Sequence, residues 1–174
     1  FAILLSGFSN LEAKNSKDVS NTEVKRKTTS HKKKYSLTLA NSKDGHPVRS
    51  GKKSYRFEVR LGDCGKDSGH DDCKKDRQRT ELQFKKHQMG KKDHWYSASI
   101  YLPEDYQSVA PVRTTFAQLY EKGWKPILMV TDRSGEWLEV GRMWSGEYVE
   151  MKKAIRINDM RGKWTDVIIN ARYS

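Results

Sequence analysis

Apolar and polar residues alternate in many short stretches of the chain, which is the pattern of β-strands with one buried face. The clearest stretch covers residues 54–61, where every second side chain is apolar: Tyr55, Phe57, Val59 and Leu61. The pattern predicts further strands over residues 35–39, 79–85 and 113–120. A strand is also predicted over residues 94–102, where both faces carry aromatic or apolar residues, and others over residues 126–131, 136–142, 153–158 and 164–171. In the strand 113–120, strict alternation places four side chains on one side: Thr114, Phe116, Gln118 and Tyr120.

Turn residues separate these stretches, as at 132–135 and 160–163, and a helical period is nearly absent. Many short strands joined by turns are typical of an all-β fold. We therefore predict an antiparallel β-sandwich or jelly roll of the concanavalin-like type. The chain begins without methionine and stops at Ser174 directly after a strong strand. We interpret it as a fragment whose fold is incomplete at the C-terminus.

The first 34 residues differ from the rest in composition. Residues 1–13 are apolar at the start and resemble the end of a signal peptide, although an ordinary terminal strand or helix is the alternative. Residues 14–34 are rich in Lys, Ser, Thr and Asn, which predicts a basic disordered linker. Residues 35–174 are then a partial β-jelly-roll domain.

The net charge of +12 favours a polyanionic partner. Between Lys14 and Lys53 the chain has twelve basic and three acidic residues, so most of the excess lies in the segment that is poor in core-forming residues. Because aromatic residues are not interleaved with these cations, we do not expect nucleic acid as the partner. No other segment is long and apolar enough to span a bilayer.

Two cysteines, Cys64 and Cys73, enclose a short polar loop. Two thiols do not make a structural zinc site without further ligands, so a disulfide in an exported protein is the better interpretation. Four aspartates near the loop could hold Ca²⁺, although their spacing fits no EF-hand: Asp63, Asp67, Asp71 and Asp72. We expect no organic cofactor.

Charged residues occupy the polar side of the predicted strand 79–85, where Arg79 and Glu81 are neighbours. One interpretation is a solvated sheet face with a weak ion pair. The other is a guanidinium held by a carboxylate on a concave face, where it binds an anionic ligand through two hydrogen bonds. Gln83 and Lys85 continue the same polar side and are candidates for substrate binding.

Five motifs follow one another along the chain: Gly62-Asp63-Cys64 to Asp72-Cys73, Asp76 to Leu82, His94-Trp95-Tyr96 to Leu102-Pro103, Phe116-Ala117-Gln118, and Gly162-Lys163-Trp164 to Arg172-Tyr173-Ser174. In this order they resemble the jelly-roll polysaccharide lyases of the heparin-lyase-like group. The Arg79-Thr80-Glu81-Leu82 strand is also similar to one in alginate and glucuronan lyases. The resemblance runs from about Tyr55 to Ser174, the first half to two-thirds of such a domain.

This resemblance implies cleavage of a uronate-containing polysaccharide by β-elimination. It implies that Arg79 neutralises the uronate carboxylate and that Gln118 hydrogen-bonds it. The family's histidine position holds Tyr120, which could act as a base if a cation such as Arg79 lowered its pKa, or could serve only as a stacking platform for a sugar ring. The family's late-strand tyrosine would lie beyond Ser174.

Tryptophans are the usual platforms for sugar rings. Trp124 and Trp144 lie in less regular segments and are candidates for substrate binding, whereas Trp95, Trp137 and Trp164 are expected in the core. We predict a secreted or periplasmic monomer whose partner is an acidic polysaccharide. The alternative function is a non-catalytic module that binds acidic glycans, which the missing histidine at position 120 favours.

Overall fold

The computed structural model describes residues 2–6, 24–27, 33–67, 70–84, 93–120 and 125–172. Its strands are β1 (Ala2–Ser6), β2 (Val24–Lys27), β3 (Leu37–Asn41), β4 (Lys53–Glu58), β5 (Lys66–Asp67), β6 (His70–Asp71), β7 (Glu81–Phe84), β8 (Asp93–Tyr101), β9 (Thr114–Tyr120), β10 (Pro126–Asp132), β11 (Trp137–Trp144), β12 (Glu147–Arg156) and β13 (Trp164–Arg172). A 3₁₀ helix covers Ser42–Asp44, and a single α-helical turn, α1, covers Ile157–Met160.

These elements form two compact units, of which the first comprises residues 1–102 and 164–174. It contains an antiparallel sheet in the order β13-β8-β1-β4-β3. The buried side chains of one sheet face come from alternating positions on β3, β4 and β8: Leu37, Phe57, Ala98 and Ile100. On the other face, Asp166 accepts hydrogen bonds from Arg49 Nη2 at 2.8 Å and from Ser99 Oγ at 2.5 Å.

The second unit comprises residues 103–163 and contains a sheet of consecutive hairpins in the order β12-β11-β10-β9. Its apolar core includes Val130, Leu138, Ile157 and Met160. Asp132 is buried where β10 ends, and its carboxylate accepts bonds from the Tyr106 hydroxyl and the Gly135 N–H, both at 2.8 Å. Burial and this hydrogen bond raise the pKa of Tyr106, so the phenol stays protonated.

The structure confirms the all-β antiparallel class, and its separate sheets are consistent with the predicted sandwich. The alternating stretches form strands close to the predicted bounds. The predicted start of the strand 79–85 is wrong, because β7 begins at Glu81 and Arg79 lies in the irregular segment before it. Strand β12 also begins at Glu147, earlier than predicted, since exposed charged residues on both of its sides hide the alternation.

Two strands lie in the N-terminal segments. Ala2–Ser6 pairs with β4 and β8, which corresponds to the terminal-strand alternative for the first segment. Val24–Lys27 pairs with β7, inside the segment predicted to be a linker. The domain boundaries at residues 13 and 34 stay predictions. Within the described ranges, no helix has the length and apolar character needed to cross a membrane.

Candidate functional site

A disulfide between Cys64 and Cys73 confirms the predicted pairing. The loop that it closes folds around Asp72, whose N–H donates to the Gly65 carbonyl at 2.9 Å and whose carbonyl accepts from the Arg77 N–H at 2.9 Å. The Asp72 side chain is 3% exposed. The cross-link therefore carries a buried carboxylate to a defined position next to the start of β7.

Arg79 uses that carboxylate as its main partner. Its Nη2 lies 2.7 Å from Asp72 Oδ1, and its Nε lies 3.1 and 3.2 Å from the two oxygens. The contact from Arg79 Nη1 to Glu81 Oε1 is longer, at 3.6 Å. The guanidinium is thus held by a carboxylate, as the second interpretation proposed, but the carboxylate comes from the disulfide loop. Alternation along one strand gives no signal for this pairing.

Carboxylates also pair with the cations of β4 and the loop after it. Glu58 accepts from Arg56 Nη1 and Arg60 Nε, both at 2.6 Å, and its backbone carbonyl accepts from the Thr80 hydroxyl at 3.2 Å. Burial raises the pKa of Glu58, but the bonds from Arg60 and Arg56 outweigh it and hold the pKa below its usual value. The Thr80 bond ties the segment of Arg79 to the end of β4.

Gln118 and Tyr120 lie on β9 in the second unit, whereas Arg79 lies in the first. Gln118 is paired with Met129 and Tyr120 with Pro126. Ile127 is an extra residue in β10 between their partners, whereas β9 itself is regular from Gln118 to Tyr120. The two residues therefore share a sheet face, as predicted. Gln118 is half-buried, and Tyr120 is 39% exposed. That Arg79 and Gln118 share one groove stays a prediction.

A β-bulge changes the rest of the predicted side. Ala117 is paired with Val130 and Thr115 with Thr131, so Phe116 is an extra residue in β9. As a result, Thr114 is paired with Asp132, whereas Gln118 is paired with Met129. β10 is regular between these two partners, and an odd number of positions separates them, so they lie on opposite faces of the sheet. The prediction that Thr114 shares a face with Gln118 is therefore wrong.

The face that carries Gln118, called here the Gln118 face, continues across the sheet. Gln118 is paired with Met129, Met129 with Gly141 and Gly141 with Met151. The ring of Tyr148 covers Gly141, where a side chain would collide with it. The phenol hydroxyl donates to Met129 Sδ at 3.7 Å, which brings it beside the strand of Gln118.

Two arginines reach Tyr148 on this face. Arg113 Nη1 donates to the phenol oxygen at 2.9 Å, and the Arg133 guanidinium carbon lies 5.0 Å from the ring centroid. Both arginines are exposed, and Tyr148 is half-buried. Sequence reasoning missed this group, since Arg113 and Arg133 flank β9 and β10 whereas Tyr148 lies near the start of β12. The only sequence signal was Gly141 inside a strand, which marks a close approach of another group.

Replacing Gly141 with alanine is expected to destabilise the second unit by about 1–3 kcal/mol. A Cβ at position 141 would lie less than 3.0 Å from ring atoms of Tyr148 and from Met151 Sδ, so the tyrosine would be displaced. Denaturant unfolding measures the loss. Gly146→Ala is the control, because a Cβ there meets no atom within 4 Å and tests only the cost of its positive φ of 93°. Equal stability of wild type and Gly141→Ala would contradict this packing.

The other predicted site residues are less informative. Trp144 is 72% exposed, and by alternation with Met143 it lies on the face opposite to Gln118. The Gln83 side chain, Lys85 and Trp124 lie outside the described residues. The prediction that Trp95 lies in the core is wrong, because this side chain is 62% exposed. Trp137 and Trp164, which were also expected in the core, are half-buried.

Calcium binding by the aspartates near the disulfide gains no support from the described residues. No group of three or more His, Cys, Asp or Glu residues among them is arranged to hold a metal ion. Asp63 accepts bonds from the Tyr35 hydroxyl and the Arg60 N–H, both at 2.7 Å, and Asp72 pairs with Arg79. Asp71 Oδ1 also accepts from the Lys74 N–H at 3.1 Å. Three of the four predicted ligands are therefore engaged in holding the chain together, and the side chain of the fourth, Asp67, lies outside the described residues.

Comparison with known proteins gives one finding. The model of a protein family described as "Polysaccharide lyase" matches residues 9–174, nearly the whole chain. No curated protein and no solved structure matches the chain significantly.

Proposed function

The chain belongs to the polysaccharide lyase family, and we propose that it cleaves an anionic, uronate-containing polysaccharide by β-elimination. The observation that carries this proposal is the family match, which includes Arg79, Gln118 and Tyr120. The narrower heparin-lyase-like and alginate-lyase-like relationship belongs to the same proposal. The shared face of Gln118 and Tyr120, with Arg113 and Arg133 beside it, supports an acidic substrate.

In this reaction the proton on the carbon beside the uronate carboxyl group moves to a base. The electron pair of the broken C–H bond forms the new carbon–carbon double bond. The glycosidic bond then breaks, its electron pair stays on the leaving oxygen, and that oxygen takes up a proton. The first step is accessible only if hydrogen-bond donors or cations stabilise the negative charge that develops on the carboxylate.

Each proposed residue has one part in these steps. The Gln118 amide donates to the substrate carboxylate, and Arg79 supplies positive charge to it. The Tyr120 phenol lies on the same face as Gln118 and is the proposed group for proton transfer. Glu81, Gln83, Lys85, Trp124 and Trp144 remain proposals for binding the rest of the chain. The disulfide fits a secreted or periplasmic protein, which we propose acts as a monomer.

The test is an incubation with alginate, glucuronan and heparin-type substrates while the ultraviolet absorbance of the unsaturated uronate product is followed. The proposal predicts a steady rise with at least one of them. An unchanged absorbance with all three would contradict it.

A non-catalytic module for acidic glycans is the second candidate. It is favoured by Tyr120 at the family's histidine position. It is also favoured by the pairing of Arg79 with Asp72, because the Asp72 carboxylate neutralises the positive charge that would otherwise bind the substrate carboxylate. Under this alternative, the chain binds acidic glycans, no absorbance develops, and Tyr120→Phe leaves the affinity unchanged.

A further inference from the structure

Two guanidinium groups converge on Tyr148 on the Gln118 face. Arg113 meets the hydroxyl end of the side chain at 2.9 Å, and Arg133 lies 5.0 Å from the ring centroid. Like charges that share one aromatic ring repel each other, and the ring's attraction for each cation is modest at an exposed site. In the part of the chain that the structure describes, no carboxylate forms an ion pair with Arg113 or Arg133.

The opposite face of the same sheet shows the usual arrangement for cations. Its shallow cavity of about 380 Å³ is lined by Leu128, Val140, Arg142, Glu150 and Lys152. There Glu150 lies between the two cations, 3.6 Å from Arg142 and 3.2 Å from Lys152. The protein thus supplies a carboxylate to one pair of cations and none, among its described residues, to the other.

We infer that Arg113, Arg133 and Tyr148 form a binding site for an acidic group, a carboxylate or a sulfate, of a polysaccharide that lies along the Gln118 face. Guanidinium groups bind such oxyanions through paired, charge-assisted hydrogen bonds. The inference rests on the proposed function for the choice of a polysaccharide as the carrier of the acidic group.

Tyr148 positions this site. Its oxygen accepts from Arg113, and its proton points to Met129 Sδ, so the hydroxyl fixes the arginine head group at the strand beside Gln118. Gly141 allows the ring to lie close against the strand, since a side chain there would displace it. A bound acidic group would therefore lie on the same face as the Gln118 amide, and the site would help to align the polysaccharide with it.

The test measures binding of the full chain to three polysaccharides by calorimetry: a polyuronate with carboxylates only, dextran sulfate with sulfates only, and neutral dextran. The double variant Arg113→Gln/Arg133→Gln is expected to bind at least one polyanion about tenfold more weakly than the wild type. The control Arg142→Gln/Lys152→Gln removes the same charge from the opposite face and is expected to keep the wild-type affinity. Tyr148→Phe keeps the ring and is expected to lose a smaller part of the affinity.

Each outcome decides the inference. If the double variant loses affinity for the polyuronate alone, the site binds carboxylates, and if it loses affinity for dextran sulfate alone, the site binds sulfates. A loss of affinity for both shows that the site accepts either group. Equal affinities of the double variant and its control for both polyanions would overturn it, provided that circular dichroism shows both to be folded. Because binding is read without turnover, a chain that makes no unsaturated product could still show the loss. Failure of the proposed function and failure of this site are thereby distinguishable.

Discussion

Replacing Gln118 with alanine is expected to lower kcat/KM for an acidic polysaccharide by about 10²- to 10³-fold, the cost of removing one donor that stabilises developing charge. The amide is half-buried on β9 and shares its face with Tyr120. Gln118→Glu is expected to reduce the rate further, because a carboxylate at this position repels the uronate. Steady-state rates from the absorbance of the unsaturated product measure both effects.

A matched control separates catalysis from folding in this experiment. Leu119→Ala changes the neighbouring residue, which alternation places on the other sheet face and which is paired with Leu128. We expect it to cost stability and to leave the rate per folded molecule close to that of the wild type. Wild-type rates in Gln118→Ala would remove Gln118 from the mechanism.

Replacing Asp72 with asparagine is expected to destabilise the first unit by about 3 kcal/mol. The change removes the main counterion of Arg79 and leaves a partly buried guanidinium with the weaker contact to Glu81. The side chains of Arg79 and Asp72 are 26% and 3% exposed, so solvent compensates only part of the lost interaction. Chemical denaturation monitored by circular dichroism gives the free energy of unfolding.

Glu81→Gln is the matched control for Asp72→Asn, because it neutralises the second carboxylate near the same guanidinium. At 3.6 Å this contact is longer, and its loss is expected to cost less than about 1 kcal/mol. If both variants lost the same stability, the assignment of Asp72 as the principal partner of Arg79 would be incorrect.

Local patterns were sufficient for most strands. Alternation predicted β4 because one of its faces lies in a core and the other is more polar, as with Phe57 on the buried side and Arg56 beside it. Strand β10 was predicted without alternation, since its four consecutive residues from Met129 to Asp132 are buried on both faces. Alternation failed where a strand has little buried surface, as in β12, and where an extra residue enters a strand, as with Phe116 in β9. A bulge leaves no mark in the spacing of apolar residues.

Long-range pairing explains the remaining differences at the site. Arg79 was expected to pair with Glu81, its neighbour two positions along the chain, but the disulfide brings Asp72 closer. The approach of Arg113 and Arg133 to Tyr148 depends on the registers of four strands, which a single sequence does not specify. The order of the motifs along the chain identified the polysaccharide lyase family, because motifs are recognised from residue types and their order alone, without the three-dimensional structure.

The masses of the products from a defined oligouronate test the central claim most directly. β-Elimination adds nothing to the substrate, so the masses of the two fragments are predicted to sum to the mass of the intact oligosaccharide, with a double bond in one new end. Fragments whose masses exceed that sum by one water would show hydrolysis instead. Either that result or the absence of any fragment from polyuronate substrates would contradict the account.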